Sequence, residues 1–246
     1  MTDGTAVDPE GVALTLLAAL AAAGVPERAA HAAGYTPSRM RFYGTPVPAL
    51  RAAVRPAVAA ARAWPPASVH ALTRLLLGSG TFEGRAAAFL VLEGLPKARR
   101  ALPASALTAL AEGNDNWASV DAYACGVSGP AWREGQLDDA TIDTWAASPD
   151  RWLRRTALVS AAALNLRSRG GRGDVARTLA VCRRLAADRD DMVVKALSWA
   201  LRELAHWDAS AVRQFLETEP VAARVRREVG TKITTGTKRG RASGTA

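Results

Sequence analysis

Ser148-Pro-Asp-Arg-Trp-Leu-Arg-Arg-Thr-Ala-Leu158 and Asp188-Arg-Asp-Asp-Met-Val-Val-Lys-Ala-Leu-Ser-Trp-Ala-Leu-Arg202 are two versions of one pattern. Each opens on an acidic element able to cap a helix start, because a short carboxylate accepts from the free amides of the first turn. Each continues with apolar residues at three- and four-residue spacing, broken by Trp and Arg. They read as the openings of the second helices of successive helix pairs. Such pairs cannot bury their apolar faces alone, so they stack, and the stack curves into an α-solenoid whose concave surface suits a long ligand.

The same helical periodicity runs through the rest of the chain, while the alternation expected of strands is almost absent. Pro and Gly punctuate helices predicted at about 9–24, 27–34, 46–63, 66–78, 82–93, 103–112, 115–127, 139–147, 150–166, 173–187, 190–205 and 209–217. The expected fold is all-α, a solenoid of stacked antiparallel helix pairs over residues 1–233. Residues 234–246 lack apolar anchors and read as a flexible basic tail.

Of the 246 residues, 49% are hydrophobic, as expected of a globular chain. The formal charge is +9, but residues 224–246 hold seven cations and one acid, leaving only +3 for the remainder. Binding an anionic polymer would therefore require the charges to be segregated onto one face. Arg51 with Arg55, Arg99-Arg100, Arg183-Arg184 and Arg226-Arg227 are each ordinary solvated clusters that would form a phosphate track if grouped on one rim. Only four cations are lysines, so Schiff-base chemistry has just Lys97 and Lys195 as candidates in the body of the chain. Cys125 and Cys182 stand alone, and His31, His70 and His206 are scattered, so no metal site, disulfide or cofactor is expected. The apolar run from Val12 to Val25 is too short to span a bilayer and follows acidic residues, so no membrane partner is expected and a cytoplasmic location is.

Asn114-Asp-Asn-Trp-Ala-Ser-Val-Asp121 sets Trp117 and Asp121 four residues apart on one helical face, with Val120, Ala124 and Val127 marking the core side. One reading pairs Asp121 with Arg154 or Arg155 in a structural salt bridge and leaves the tryptophans to packing. The other is chemical: a fixed carboxylate stabilises positive charge that grows on a reacting ligand. Aromatic faces attract a cation, and an arginine fork holds phosphate.

These segments together resemble the HEAT-like DNA glycosylases of the AlkD family, from about Tyr35 through Val225-Arg-Arg-Glu-Val-Gly-Thr-Lys232. The resemblance implies that Asp121 is the catalytic carboxylate and that Trp117 and Trp199 cradle the lesion. It implies that Arg155 grips phosphate, with Arg154 as the alternative in the doublet. Tyr35, ahead of Gly44-Thr-Pro-Val-Pro, is similar to a lesion-site tyrosine, and Trp152, Lys195 and Arg202 complete the set expected to touch DNA. The implied activity is monofunctional excision of N3- or N7-alkylated purines from double-stranded DNA by a monomer, without base flipping. A self-resistance glycosylase for a bulky genotoxin adduct and a non-catalytic DNA- or protein-binding scaffold are the alternatives. Ala118-Ser119 and the Gly-rich stretch Arg169–Gly173 depart from the family pattern. Trp64, Trp132, Trp145 and Trp207 are assigned to packing.

Overall fold

The computed structural model describes residues 7–237. Its helices are α1 (Pro9–Ala22), α2 (Pro26–Tyr35), α3 (Val47–Ala61), α4 (Pro66–Gly78), α5 (Phe82–Gly94), α6 (Pro96–Arg100), α7 (Ala104–Ala111), α8 (Trp117–Tyr123), α9 (Gly129–Arg133), α10 (Asp139–Ala146), α11 (Arg151–Ala163), α12 (Val175–Arg184), α13 (Asp191–Leu204), α14 (Ala209–Thr218) and α15 (Ala223–Thr235). Among the described residues the only extended pairing is an isolated bridge between Arg41 and Thr81. The chain is all-helical, with the helix-on-helix stacking of an α-solenoid. The helices group into two compact units, α1–α8 and α9–α15.

In the first unit α1 packs on α3 and α4, both α3 and α4 pack on α5, and α5 packs on α8. Leu16, Leu20, Leu72, Leu76 and Val91 fill its core, each such burial contributing about 1.5–3 kcal/mol. The apolar run around α1 behaves as a core helix on one side: Ala13, Leu16 and Leu20 are buried, whereas Leu14 is exposed. No single described helix is long and apolar enough to cross a membrane.

The second unit keeps its helix pairs in regular order: α10 packs on α11, α12 on α13 and α14 on α15, while α11, α13 and α15 form a continuous layer. Five successive helices, α10 to α14, start on an aspartate whose carboxylate accepts from a first-turn amide: Asp138, Asp150, Asp174, Asp190 and Asp208. Each cap is worth about 1 kcal/mol and fixes where a helix begins. The acidic elements ahead of the two repeated segments therefore do the capping their sequence suggests.

Three helices escaped the periodicity: α6, α9 and α15. The helix predicted over 115–127 is longer and less regular, running through α8, a π-turn at Ala124–Ser128 and α9. Pro130 has no amide to offer to the carbonyl of residue 126 and crowds it, which disfavours regular α-pairing there. Of the expected tail, residues 234 and 235 close α15, and residues 238–246 lie outside the described residues.

The Gly-rich stretch ahead of α12 is a packed element. Gly173 adopts φ +78° against the Trp207 indole, where a Cβ would lie 2.7 Å from the ring. Trp207 donates from Nε1 to the Asn165 carbonyl at 2.8 Å. Trp64, Trp132 and Trp145 are buried and serve packing, as expected. Arg99 departs from its reading as a solvated residue: it is buried in the last turn of α6.

Candidate active site

Asn114-Asp115-Asn116 forms a polar knot ahead of α8. Asn114 donates to the carbonyls of Leu110 and Ala111 at 3.1 Å each and accepts from Arg85 Nη1. Asn116 caps α8 by accepting from the Ser119 amide at 2.9 Å. Asp115 reaches 77 residues back in the chain, accepting from the Ser38 hydroxyl and, at 2.7 Å, from the Arg39 amide. The loop after α2 is thereby tied to the start of α8. The three polar residues before Trp117 thus build its platform, a role their sequence did not reveal.

The platform brings Tyr35, the last residue of α2, edge-on to Trp117, the first of α8, with ring centroids 6.2 Å apart and planes at 85°. His31 stacks on Tyr35 with ring centroids 5.9 Å apart and planes 10° apart. Tyr35 itself is 69% exposed. One turn beyond Trp117, Asp121 shares its half-buried face, while Val120, Ala124 and Val127 are fully buried on the core side. A groove of about 650 Å³ runs beside Trp117, walled by Tyr35, Phe42 and Phe82.

The Gly44-Thr-Pro-Val-Pro segment proves architectural. Gly44 takes φ +78°, and a Cβ there would lie 2.3 Å from the Val25 carbonyl oxygen, so only glycine fits. The buried Glu83 carboxylate accepts from the amides of Tyr43, Gly44 and Thr45 at 3.0, 2.8 and 3.2 Å.

Burial pushes the Asp115 carboxyl upward, but the bonds from Ser38, the Arg39 amide and Asn116, with the Arg39 charge, outweigh it and hold the group below the usual carboxylate range. A depressed folded-state value means stability that is present above the unfolded pKa and lost as pH falls through the folded one. Asp115→Asn is therefore expected to destabilise the protein at neutral pH. Its deficit relative to the parent should shrink as pH drops below about 4. Urea unfolding at several pH values measures this, and a pH-independent deficit would rule out the charge as its source.

The remaining candidates belong to the second unit, where α11 and α13 pack together. Three arginines of α11 bind the start of α13: Arg151 to Asp190 at 3.3 Å, Arg154 to Asp188 at 2.7 Å, and Arg155 from Nη1 to the Met192 carbonyl at 2.6 Å. Arg154 also donates to the carbonyls of Ser148 and Pro149, at 3.0 and 2.8 Å. It is thus a structural clasp, whereas Arg155 is buried along its length beneath the α13 N-terminus. Trp152 is half-buried, with the Arg151 guanidinium 5.6 Å from its ring centroid.

On α13, Asp191, Lys195, Trp199 and Glu203 follow at four-residue intervals along one face. Lys195 pairs with Asp191 at 2.6 Å, and Trp199 donates from Nε1 to Glu203 at 3.1 Å. Behind this face Ser198 donates to the buried Glu228 of α15 at 2.6 Å, and Arg224 joins Glu228 to Asp191, at 3.0 Å from each. Arg202 folds back onto Ser198, and its burial lowers the guanidinium pKa against the raising influence of Glu228 and Glu203. Glu83, Asp115, Glu203 and Glu228 were not singled out in the sequence, since their partners sit in other helices or a full turn away.

The chain is thus an all-helical stack of the α-solenoid class, with Trp117 and Asp121 one turn apart on α8 over a capped and braced helix start. The family model for the DNA alkylation repair enzyme matches residues 16–233, and the chain belongs to that family. Among solved structures, one described as a predicted DNA alkylation repair enzyme from Enterococcus faecalis superposes with a TM-score of 0.69 at 17% identity. The match covers 84% of this chain and 95% of that one. The comparison with curated proteins gave no match.

Proposed function

We propose that this protein is a monofunctional DNA glycosylase that hydrolyses the N-glycosidic bond of N3- and N7-alkylated purines in duplex DNA and leaves an abasic site. The observation that carries the reading is the half-buried pair of Trp117 and Asp121 on one face of α8, with Tyr35 set against the indole. A carboxylate held in a helix needs no reorganisation to stabilise the positive charge that grows on the sugar as the base departs. The indoles of Trp117 and Trp199 favour a cationic base through their electron-rich faces. Because alkylation itself makes the purine a leaving group, discrimination rests on charge and requires no base-edge reading.

The direct test is release of free base from duplex DNA carrying N7-methylguanine, run beside a bulky N3-adenine adduct. Release of the first alone supports general repair, and release of the second alone supports self-resistance. Binding without release of either would make the chain a scaffold.

The product is also specified. Lys97 lies exposed on α6, and Lys195 is held against Asp191, toward the start of α13 and away from Trp199. No Schiff base is expected to form, so the abasic strand should stay intact until heated, and borohydride should trap no protein–DNA adduct. A trapped adduct at neutral pH would make the enzyme a bifunctional lyase.

A further inference from the structure

We propose that Glu203 is a positioning residue for Trp199, fixing its indole and raising the preference of that ring for a positively charged base. The inference rests on the reading of Trp199 as a lesion-contacting residue. Its geometric basis stands within α13 alone. Trp199 and Glu203 are four residues apart, so both project from the same face. The indole N–H has one donor and no acceptor capacity, and it donates to Glu203 Oε1 at 3.1 Å. A half-buried indole without such a bond keeps rotational freedom about its two side-chain torsions. The bond to Glu203 holds the plane of the ring in one orientation.

The acceptor is a charged group, and this has a second consequence. A hydrogen bond to a carboxylate is stronger than one to a neutral oxygen. It also draws the N–H proton outward and leaves more electron density on the ring. Attraction between a cation and an aromatic face follows that density. The carboxylate itself adds negative potential beside the ring, at a place where a duplex-binding protein would otherwise avoid an acid because phosphates repel it. That cost becomes intelligible if the charge selects a cationic base. Arg202, the adjacent cation, donates to the Ser198 carbonyl and hydroxyl at 3.2 and 3.4 Å and interacts with the Glu203 charge through space rather than through a hydrogen bond.

Glu203→Gln keeps an oxygen acceptor and removes the charge, while Glu203→Leu removes both. Three measurements on the full-length protein separate the possibilities: single-turnover excision of N7-methylguanine, affinity for undamaged duplex, and the indole N–H resonances of protein carrying 15N-labelled tryptophan. The Trp199 resonance is assigned by its loss in Trp199→Phe. In Glu203→Leu it should move upfield as the hydrogen bond is lost, and in Glu203→Gln it should stay close to the parent position.

Excision should fall about 5–10-fold in Glu203→Gln and further in Glu203→Leu, a size set by cation–π energies at partly desolvated sites. Affinity for undamaged duplex should hold or rise, because an acid has been removed. In the Trp199→Phe background, where no N–H exists to accept from, Glu203→Gln should cost clearly less than it does in the parent, keeping only the direct effect of its charge. A full additional loss there would overturn the proposal, and so would an unmoved indole resonance in Glu203→Leu. If Trp199→Phe and Trp199→Ala both excise like the parent, the reading of Trp199 itself fails, and the role of Glu203 fails with it.

Discussion

Asp121→Asn is expected to preserve the fold and most of the affinity for duplex DNA while abolishing nearly all excision. The side chain keeps its shape on α8, so the packing of Val120, Ala124 and Val127 beneath it is undisturbed. What disappears is a fixed negative charge at the position proposed to stabilise the oxocarbenium-like sugar. Loss of one preorganised electrostatic group costs about 2.7–4 kcal/mol of barrier, or about 10²–10³ in rate. Single-turnover release of N7-methylguanine at saturating enzyme measures this without interference from product release. Equal rates for mutant and parent would remove Asp121 from the chemistry. A mutant that unfolds would instead assign the carboxylate to a structural salt bridge, the reading its sequence position equally allows.

Glu83→Ala is expected to have the opposite profile, with a large loss of stability. Three backbone amides, those of Tyr43, Gly44 and Thr45, point at this carboxylate. Gly44 and Thr45 are buried, so their amides cannot turn to water without opening the turn. Leaving buried donors unpaired costs about 1–3 kcal/mol each, so the total loss should be about 3 kcal/mol or more. Glu83→Gln should fall between, because one carboxylate oxygen becomes an NH2 that faces an amide N–H. Urea unfolding followed by circular dichroism checks both variants, and parental stability in Glu83→Ala would show that the 43–45 turn is satisfied without it. The two carboxylates thus predict a contrast: one supports the fold, the other the reaction.

Residue pattern alone leaves the roles of both acids open. Glu83 reads as an ordinary first-turn acid of α5, and its partners lie 38–40 residues away. Asp121 stands out because Trp117 precedes it by one turn, a spacing that any amphipathic helix shares, and its catalytic reading comes from the resemblance of that segment to a family. Nor did the doublet Arg154-Arg155 announce how each arginine is held. That depends on Asp188, Ser148 and Pro149 meeting at Arg154, while Arg155 runs under Met192.

Helix class and most helix boundaries were legible because they follow short-range rules: apolar spacing, aspartate caps and proline or glycine stops act within one or two turns. The chain by itself therefore determined an all-helical stack and the places where α10 to α14 begin. It did not determine α15, whose Arg-Val-Arg-Arg-Glu-Val run is polar and rich in β-branched residues. That helix exists because Val225 and Val229 are buried and Glu228 receives Ser198 and Arg224. The same holds for the Asn114-Asp115-Asn116 knot, whose meaning lies in Ser38 and Arg39, and for the Tyr35–Trp117 contact it supports. Hydrogen bonds and ring contacts between residues some 30 to 80 positions apart leave no local periodicity to read. Only the folded chain could decide them.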